Sequence, residues 1–154
     1  MRDVNVIIKE KIEKFGKERQ ALMPILQGIV GDKNYITEND MVRVAEALDL
    51  SAAEVYGTTT FYTFFDVVPR GKYVIRVCKT ISCHLSGKDE IIEALEKVLN
   101  VKLGETTEDK KFTLLQANCM GWCHRGPVML INDEVFPELT IEKAIAIVEE
   151  YIAK

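Results

Sequence analysis

The sequence predicts an α+β or α/β chain in two parts: a helical bundle over residues 1–70, then a layer of sheet and helix over residues 71–154. Three observations carry this. Apolar residues recur at helix spacing up to about residue 70. After Pro69 the chain turns to β-branched and aromatic runs with strand character, alternating with helical stretches. All four cysteines lie in this second part, in two close pairs, each just after a predicted strand.

In the first part, Val4, Ile7, Ile8, Ile12 and Phe15 fall on one helical face, predicting a helix over roughly residues 3–15. Ala21, Leu22, Ile25, Leu26 and Ile29 predict a second, with Pro24 as a kink and Gly31 as its stop. Thr37 followed by Asp40 forms a capping-box pattern ahead of Met41, Val44, Ala45 and Leu48. Ser51 with Glu54 opens a fourth helix running into "TTTFYTFF".

In the second part, "KYVIRVC" reads as a strand ending at Cys78. Ser86 and Asp89 are expected to cap a helix carrying Ile91, Ile92, Leu95, Val98 and Leu99. "FTLLQA" is a second strand, ending just before Cys119. "VMLIN" is a third, and Asn132-Asp133 marks a turn into "EVF". Thr140 caps a last helix with Ile141, Ala144, Ile145, Val148 and Ile152 inward. The order β-α-β-β-β-α is compatible with a thioredoxin-like layer.

Composition narrows the function classes. A chain of 154 residues, 47% hydrophobic and 29% charged, has the makings of a buried core. A net charge of −4 gives no reason to expect a nucleic acid or an anionic membrane as partner. The charged N-terminal stretch does not read as a signal peptide, and no apolar run approaches the roughly 20 residues of a membrane span. A cytoplasmic protein is expected, and there paired cysteines bind metal or do redox chemistry more often than they form disulfides.

The cysteine spacing is Cys78-x4-Cys83, then 35 residues, then Cys119-x3-Cys123. Four readings compete: disulfides, inert buried thiols, a four-cysteine zinc site and an iron–sulfur cluster. The compartment disfavours the first, and the polar loops beside Gly, His and Arg disfavour the second. Zinc knuckles fit the first pair better than the second. A [2Fe–2S] centre takes two thiolates on each iron, which suits two short-spaced pairs, so the cluster reading leads. There is no C-x-x-C dithiol, G-x-G-x-x-G or P-loop, and no residue reads as a nucleophile or catalytic base. Such a chain would move electrons and have no substrate site of its own. Gly87 and Gly121 are expected to let backbone N–H groups approach the sulfurs; Arg125, Lys79 and the histidines when protonated would moderate the cluster's negative charge, although Lys79 reads first as a solvated surface charge. His84 is the histidine expected nearer the cluster, with a plain structural hydrogen bond as the equal alternative, and Trp122 reads as packing or a subunit contact ahead of a shield against water.

Four segments carry a resemblance: "RQALMPILQ", "VYGTTTFYTFF", "VCKTISCHLSG" and "CMGWCHRGPVMLINDEVFPELT". Over nearly its whole length the chain resembles the 24-kDa-type subunits of NADH:quinone oxidoreductase (complex I). The same family includes small subunits of NADH-linked hydrogenases and of NAD-dependent formate dehydrogenases. The resemblance implies that Cys78, Cys83, Cys119 and Cys123 ligate a single [2Fe–2S] cluster. It implies a helical N-terminal domain (1–70) joined to a thioredoxin-like [2Fe–2S] ferredoxin domain (71–154). It also implies partners: a flavin (FMN)- and NADH-binding iron–sulfur subunit and further iron–sulfur subunits. The family's second loop usually reads C-L-G-A-C-x-x-A-P; here Trp122, His124, Arg125 and Gly126 depart from it. That departure favours a soluble, electron-bifurcating hydrogenase-type complex over the respiratory form. A free-standing thioredoxin-like ferredoxin and a zinc-stabilised interaction module are the alternatives.

Overall fold

The computed structural model describes residues 2–154. Contacts divide the chain into two compact units, one up to Arg70 and one from Gly71 to Lys154. Among the described residues there are seven α-helices and one four-stranded mixed sheet. None of the helices is long and apolar enough to cross a membrane.

The first unit consists of α1 (Val4–Phe15), α2 (Leu22–Lys33), α3 (Glu38–Leu48) and α4 (Ala52–Phe61). Their apolar faces meet in one core: Ile7 and Ile8 from α1, Ile25, Leu26 and Ile29 from α2, Val44 and Leu48 from α3, and Val55 from α4. Gly28 marks the close approach of α1 and α2. A methyl group there would lie 2.8 Å from Ile7 Cγ2.

Side-chain caps open α1, α3 and α4, while α2 follows Ala21 without one. Asp3 accepts the Asn5 amide, Thr37 and Asp40 form a reciprocal capping box, and Ser51 accepts the Glu54 amide. Two expectations about α2 are corrected. The helix runs through Gly31 and stops at Asn34, whose φ of 66° lets its amide reach Val30 O at 2.8 Å. Pro24 lies in the first turn, where its missing N–H leaves no intrahelical bond unmade, so nothing demands a kink. α4 enters the threonine run but ends at Phe61, before the rest of the aromatic stretch.

The second unit contains β1 (Tyr73–Cys78), α5 (Ile81–Leu85), α6 (Lys88–Leu99), β2 (Phe112–Ala117), β3 (Met129–Ile131), β4 (Glu134–Phe136) and α7 (Ile141–Ala153). The sheet order is β2-β1-β3-β4, with β1 parallel to β2 and the other pairs antiparallel. A parallel pair needs a crossover, which α5 and α6 supply. α6 and α7 pack on each other and on Ile75, Val77, Leu114, Met129 and Ile131. Gly71 abuts β2: its N–H donates to Thr113 Oγ1 at 2.7 Å, and an added methyl would lie 2.8 Å from the Phe112 carbonyl carbon.

The expected cap at Ser86 is corrected. The short helix α5, unanticipated, comes first and ends at Ser86, whose hydroxyl donates back to Ser82 O at 2.9 Å. α6 then starts from Gly87 at φ 90°, without a side-chain cap. The Asn132-Asp133 turn and the Thr140 cap are as expected.

Candidate metal centre

The parallel pairing of β1 and β2 builds the site. Cys78, the last residue of β1, is in register with Ala117, the last of β2. Both strands therefore release their loops at the same edge of the sheet. From β1 the chain turns through Thr80 into α5, which carries Cys83. From β2 it runs through Cys119 and Cys123 and re-enters the sheet as β3 on the other side of β1. Lys79 N donates to Ala117 O at 2.9 Å and Cys78 N to Val128 O at 3.1 Å, tying both loops to the end of β1.

Cys78 and Cys83 are fully buried, with Val128, while Cys119 and Cys123 are exposed. The Cys119 and Cys123 sulfurs lie 3.2 Å apart, well beyond the roughly 2.05 Å of a disulfide, and all four cysteines are free. Cys78 and Cys83 engage each other through their side chains, Cys123 acts electrostatically on Cys83, and Cys78 acts on Cys123. The thiols come as two pairs; among the described residues no three His, Cys, Asp or Glu side chains surround one point as ligands of a single ion do.

Burial works against ionisation of Cys78. The Thr80 hydroxyl at 3.1 Å, the Thr80 and Met120 amides and Cys83 overcome it, and its pKa falls below the ordinary thiol value. Cys83 is pushed up, by burial first and then by Cys78 and Cys123. Cys123 is pushed up chiefly by Cys119. Neighbouring thiols make ionisation of Cys83 and Cys123 costlier, as in a donor set that takes up positive charge, and two cysteine pairs match a group with two iron atoms. The residues fit a [2Fe–2S] cluster.

The neighbours differ in part from expectation. Gly121 N–H does point at the Cys119 sulfur, at 3.4 Å. Gly87 does not serve the sulfurs; its N–H donates to His84 O at 3.1 Å, closing α5. His84 is turned to Asp89, with Nδ1 2.7 Å from Oδ2. Trp122 is half-buried against the Cys78–Cys83–Val128 group and stacks on His124, with ring centroids 5.9 Å apart. Arg125 is engaged by Glu138 through two hydrogen bonds. Two contributors escaped the sequence reading. Thr80 was findable as one of the polar residues, with Lys79 and Ser82, inside the first cysteine spacing, whereas Glu138 had no signal, being 13 residues from Arg125. Ile81 and Leu85, on α5 either side of Cys83, are 68% and 80% exposed and form an apolar rim.

Comparison with known proteins places the chain in a family. An NADH-quinone oxidoreductase subunit from Aquifex aeolicus is 38% identical over 129 residues, covering 84% of this chain and 81% of that protein. The like-named subunit from Rickettsia felis is 39% identical over 146 residues, covering 94% and 86%. Among solved structures, an NAD+-reducing [NiFe]-hydrogenase in the air-oxidised state superposes with a TM-score of 0.69 at 24% identity, a likeness of fold. That match covers 75% of this chain but only 20% of the hydrogenase polypeptide. The sequence profile of the thioredoxin-like [2Fe–2S] ferredoxins matches residues 8–152, so this chain belongs to the thioredoxin-like [2Fe–2S] ferredoxin family.

Proposed function

We propose that this chain is an electron-transfer subunit of an NADH-dependent oxidoreductase, holding one [2Fe–2S] cluster on Cys78, Cys83, Cys119 and Cys123. The observation that carries it is that both cysteine pairs lie at the strand ends and in the segments released where β1 and β2 end side by side, a placement set by their register. Bound there, the cluster supplies one-electron redox chemistry. The chain's own residues supply the ligands and tune them. Thr80 stabilises the Cys78 thiolate, the Val128 amide favours that of Cys83, and the Gly121 N–H is aimed at Cys119. Donors to sulfur stabilise the more negative, reduced state and raise the potential.

The partner we favour is a flavin- and NADH-binding subunit in the cytoplasm. The apolar rim of Ile81 and Leu85 beside the thiols supports a chain that works against another surface. For the parent complex, the Trp122–His124–Arg125 departure favours a soluble hydrogenase-type assembly. The names of the relatives at 38% and 39% identity favour NADH–quinone oxidoreductase as the second reading.

The test is electron paramagnetic resonance before and after dithionite, with iron and sulfide counted on the same sample. A silent oxidised state, a reduced S = 1/2 signal and about two irons and two sulfides per chain are expected. Zinc in place of iron after expression under cluster-assembling conditions would defeat the proposal.

A further inference from the structure

Arg125 ends the short 3-10 turn that begins at Cys123, and its guanidinium is held on two sides. Nε and Nη2 donate to the two carboxylate oxygens of Glu138 at 3.0 and 2.8 Å. Its carbon centre lies 5.8 Å from the centroid of Trp122, which stacks in turn on His124 at an interplanar angle of 16°. The backbone repeats the connection: Glu138 N donates to Arg125 O at 2.8 Å, and Leu139 N to Pro127 O at 3.1 Å. Glu138 itself sits at φ 52°, a conformation side chains rarely adopt. From α7, Lys143 Nζ donates to the carbonyls of Pro137 and Glu138 at 2.8 and 3.3 Å. Segment 137–139 is thus joined to α7 on one side and to the second cysteine loop on the other.

We propose that Glu138 is a positioning residue for the cysteine site: through its paired hydrogen bonds to Arg125 it fixes the turn carrying Cys123 and neutralises the positive charge carried two residues beyond it in that turn. This rests on the reading of Cys123 as a cluster ligand. Both partners are largely exposed, so the effect belongs to the cluster's potential and retention more than to folding. A two-point fork of this kind fixes geometry in a way that a lysine cannot.

The experiment uses the full chain with its cluster, at low ionic strength, where charge effects are least screened. The reduction potential is read by an EPR-monitored titration, and cluster loss by visible absorbance under a chelator. Glu138→Gln leaves the Arg125 charge unmasked and is expected to raise the potential. Arg125→Gln removes that charge, leaves the carboxylate, and is expected to lower it. The double variant should return near the parent potential while losing its cluster severalfold faster, because the fork is gone. Potentials unmoved in both single variants, or moved in the same direction, would overturn the proposal, as would a lowered melting temperature as the only change. Should a variant take up no cluster, alkylation of Cys123 in the apo-chain of the double variant, whose net charge equals the parent's, decides: faster modification than in the parent supports positioning, and an unchanged rate defeats it. A parent chain that binds no iron would instead defeat the functional reading, leaving the alkylation arm to judge Glu138 alone.

Discussion

Replacing Asp40 by Asn tests the helical unit at its most concentrated polar point. One carboxylate oxygen, Oδ2, accepts the Thr37 amide at 2.8 Å, the Thr37 hydroxyl at 2.6 Å and the Lys33 ammonium. The side chains of Asp40 and Lys33 are only 6% and 11% exposed, so neither charge is well hydrated. Asp40→Asn keeps the shape and strands the lysine. Removing one partner of a buried pair costs about 3–5 kcal/mol. The lower end applies here, since the flexible lysine stem can carry its ammonium towards water. Weakening the capping box adds about 0.5–1 kcal/mol, for a total near 4 kcal/mol. A unit of 70 residues has only about 4–10 kcal/mol to lose, so its helices should melt in markedly less urea. The assay is urea unfolding followed by far-ultraviolet circular dichroism on the parent, Asp40→Asn, Lys33→Met and the double variant. Replacing both charges should recover most of the loss, because no charge is then left unpaired. The pH dependence has a fixed sign. Burial raises the Asp40 pKa, but Lys33 and Thr37 outweigh it and leave the value lowered. The pair's contribution is therefore fully present above the ordinary carboxylate value near 3.8 and is lost as pH falls through the lower folded value. A loss below about 1 kcal/mol for Asp40→Asn would refute the reasoning and place the pair among screened surface contacts.

Three further outcomes are expected. Cys119→Ser should abolish or strongly perturb the cluster signal while leaving helical ellipticity in place; intact absorbance and spin signal would argue against the ligand set. Gly71→Ala should destabilise the chain by about 1–3 kcal/mol in denaturant unfolding, because its methyl meets rigid β2 backbone at 2.8 Å, not a movable side chain. Tyr151, whose hydroxyl donates to Glu134 and which is partly buried, is pushed up to about 12. Its stabilising contribution is full below the ordinary value of 10 and disappears as pH rises through about 12; phenolate absorbance should show Glu134→Gln moving that titration back towards 10.

The readable parts of the fold were those written in short-range pattern. Thr37 and Asp40 are three residues apart, and their capping box needs nothing beyond the helix they open. The Asn132-Asp133 turn and the Thr140 cap are similarly local. α2 escaped at its end because Gly31 lowers helix propensity without forbidding the helix, while the buried Leu26–Ile29 face holds the next turn in place. α5 escaped because five residues are too few to show a period. At the site, the strand-end placement of Cys78 and its pairing with Cys83 were legible from "KYVIRVC" and the spacing, but the strand beside it was not. Which strand lies beside β1, and in what register, follows from a crossover that hydrophobic pattern does not encode. The Lys33–Asp40 and Arg125–Glu138 pairs depend on the relative placement of separate segments, and nothing in either segment announces its partner.

The β1–β2 register also ties cofactor capture to the completeness of folding. Forty residues lie between Cys78 and Cys119, and a crossover with two helices must form before their loops share an edge. A slip of one residue between the strands would turn alternate side chains to the opposite face and carry Cys78 away from the second pair. A chain with only its hairpin or only its helices offers at most two sulfurs at a time. Full occupancy by a group needing all four would therefore certify that the sheet has closed correctly, and the bound group would in turn be a staple across its parallel pair, β1 and the edge strand β2.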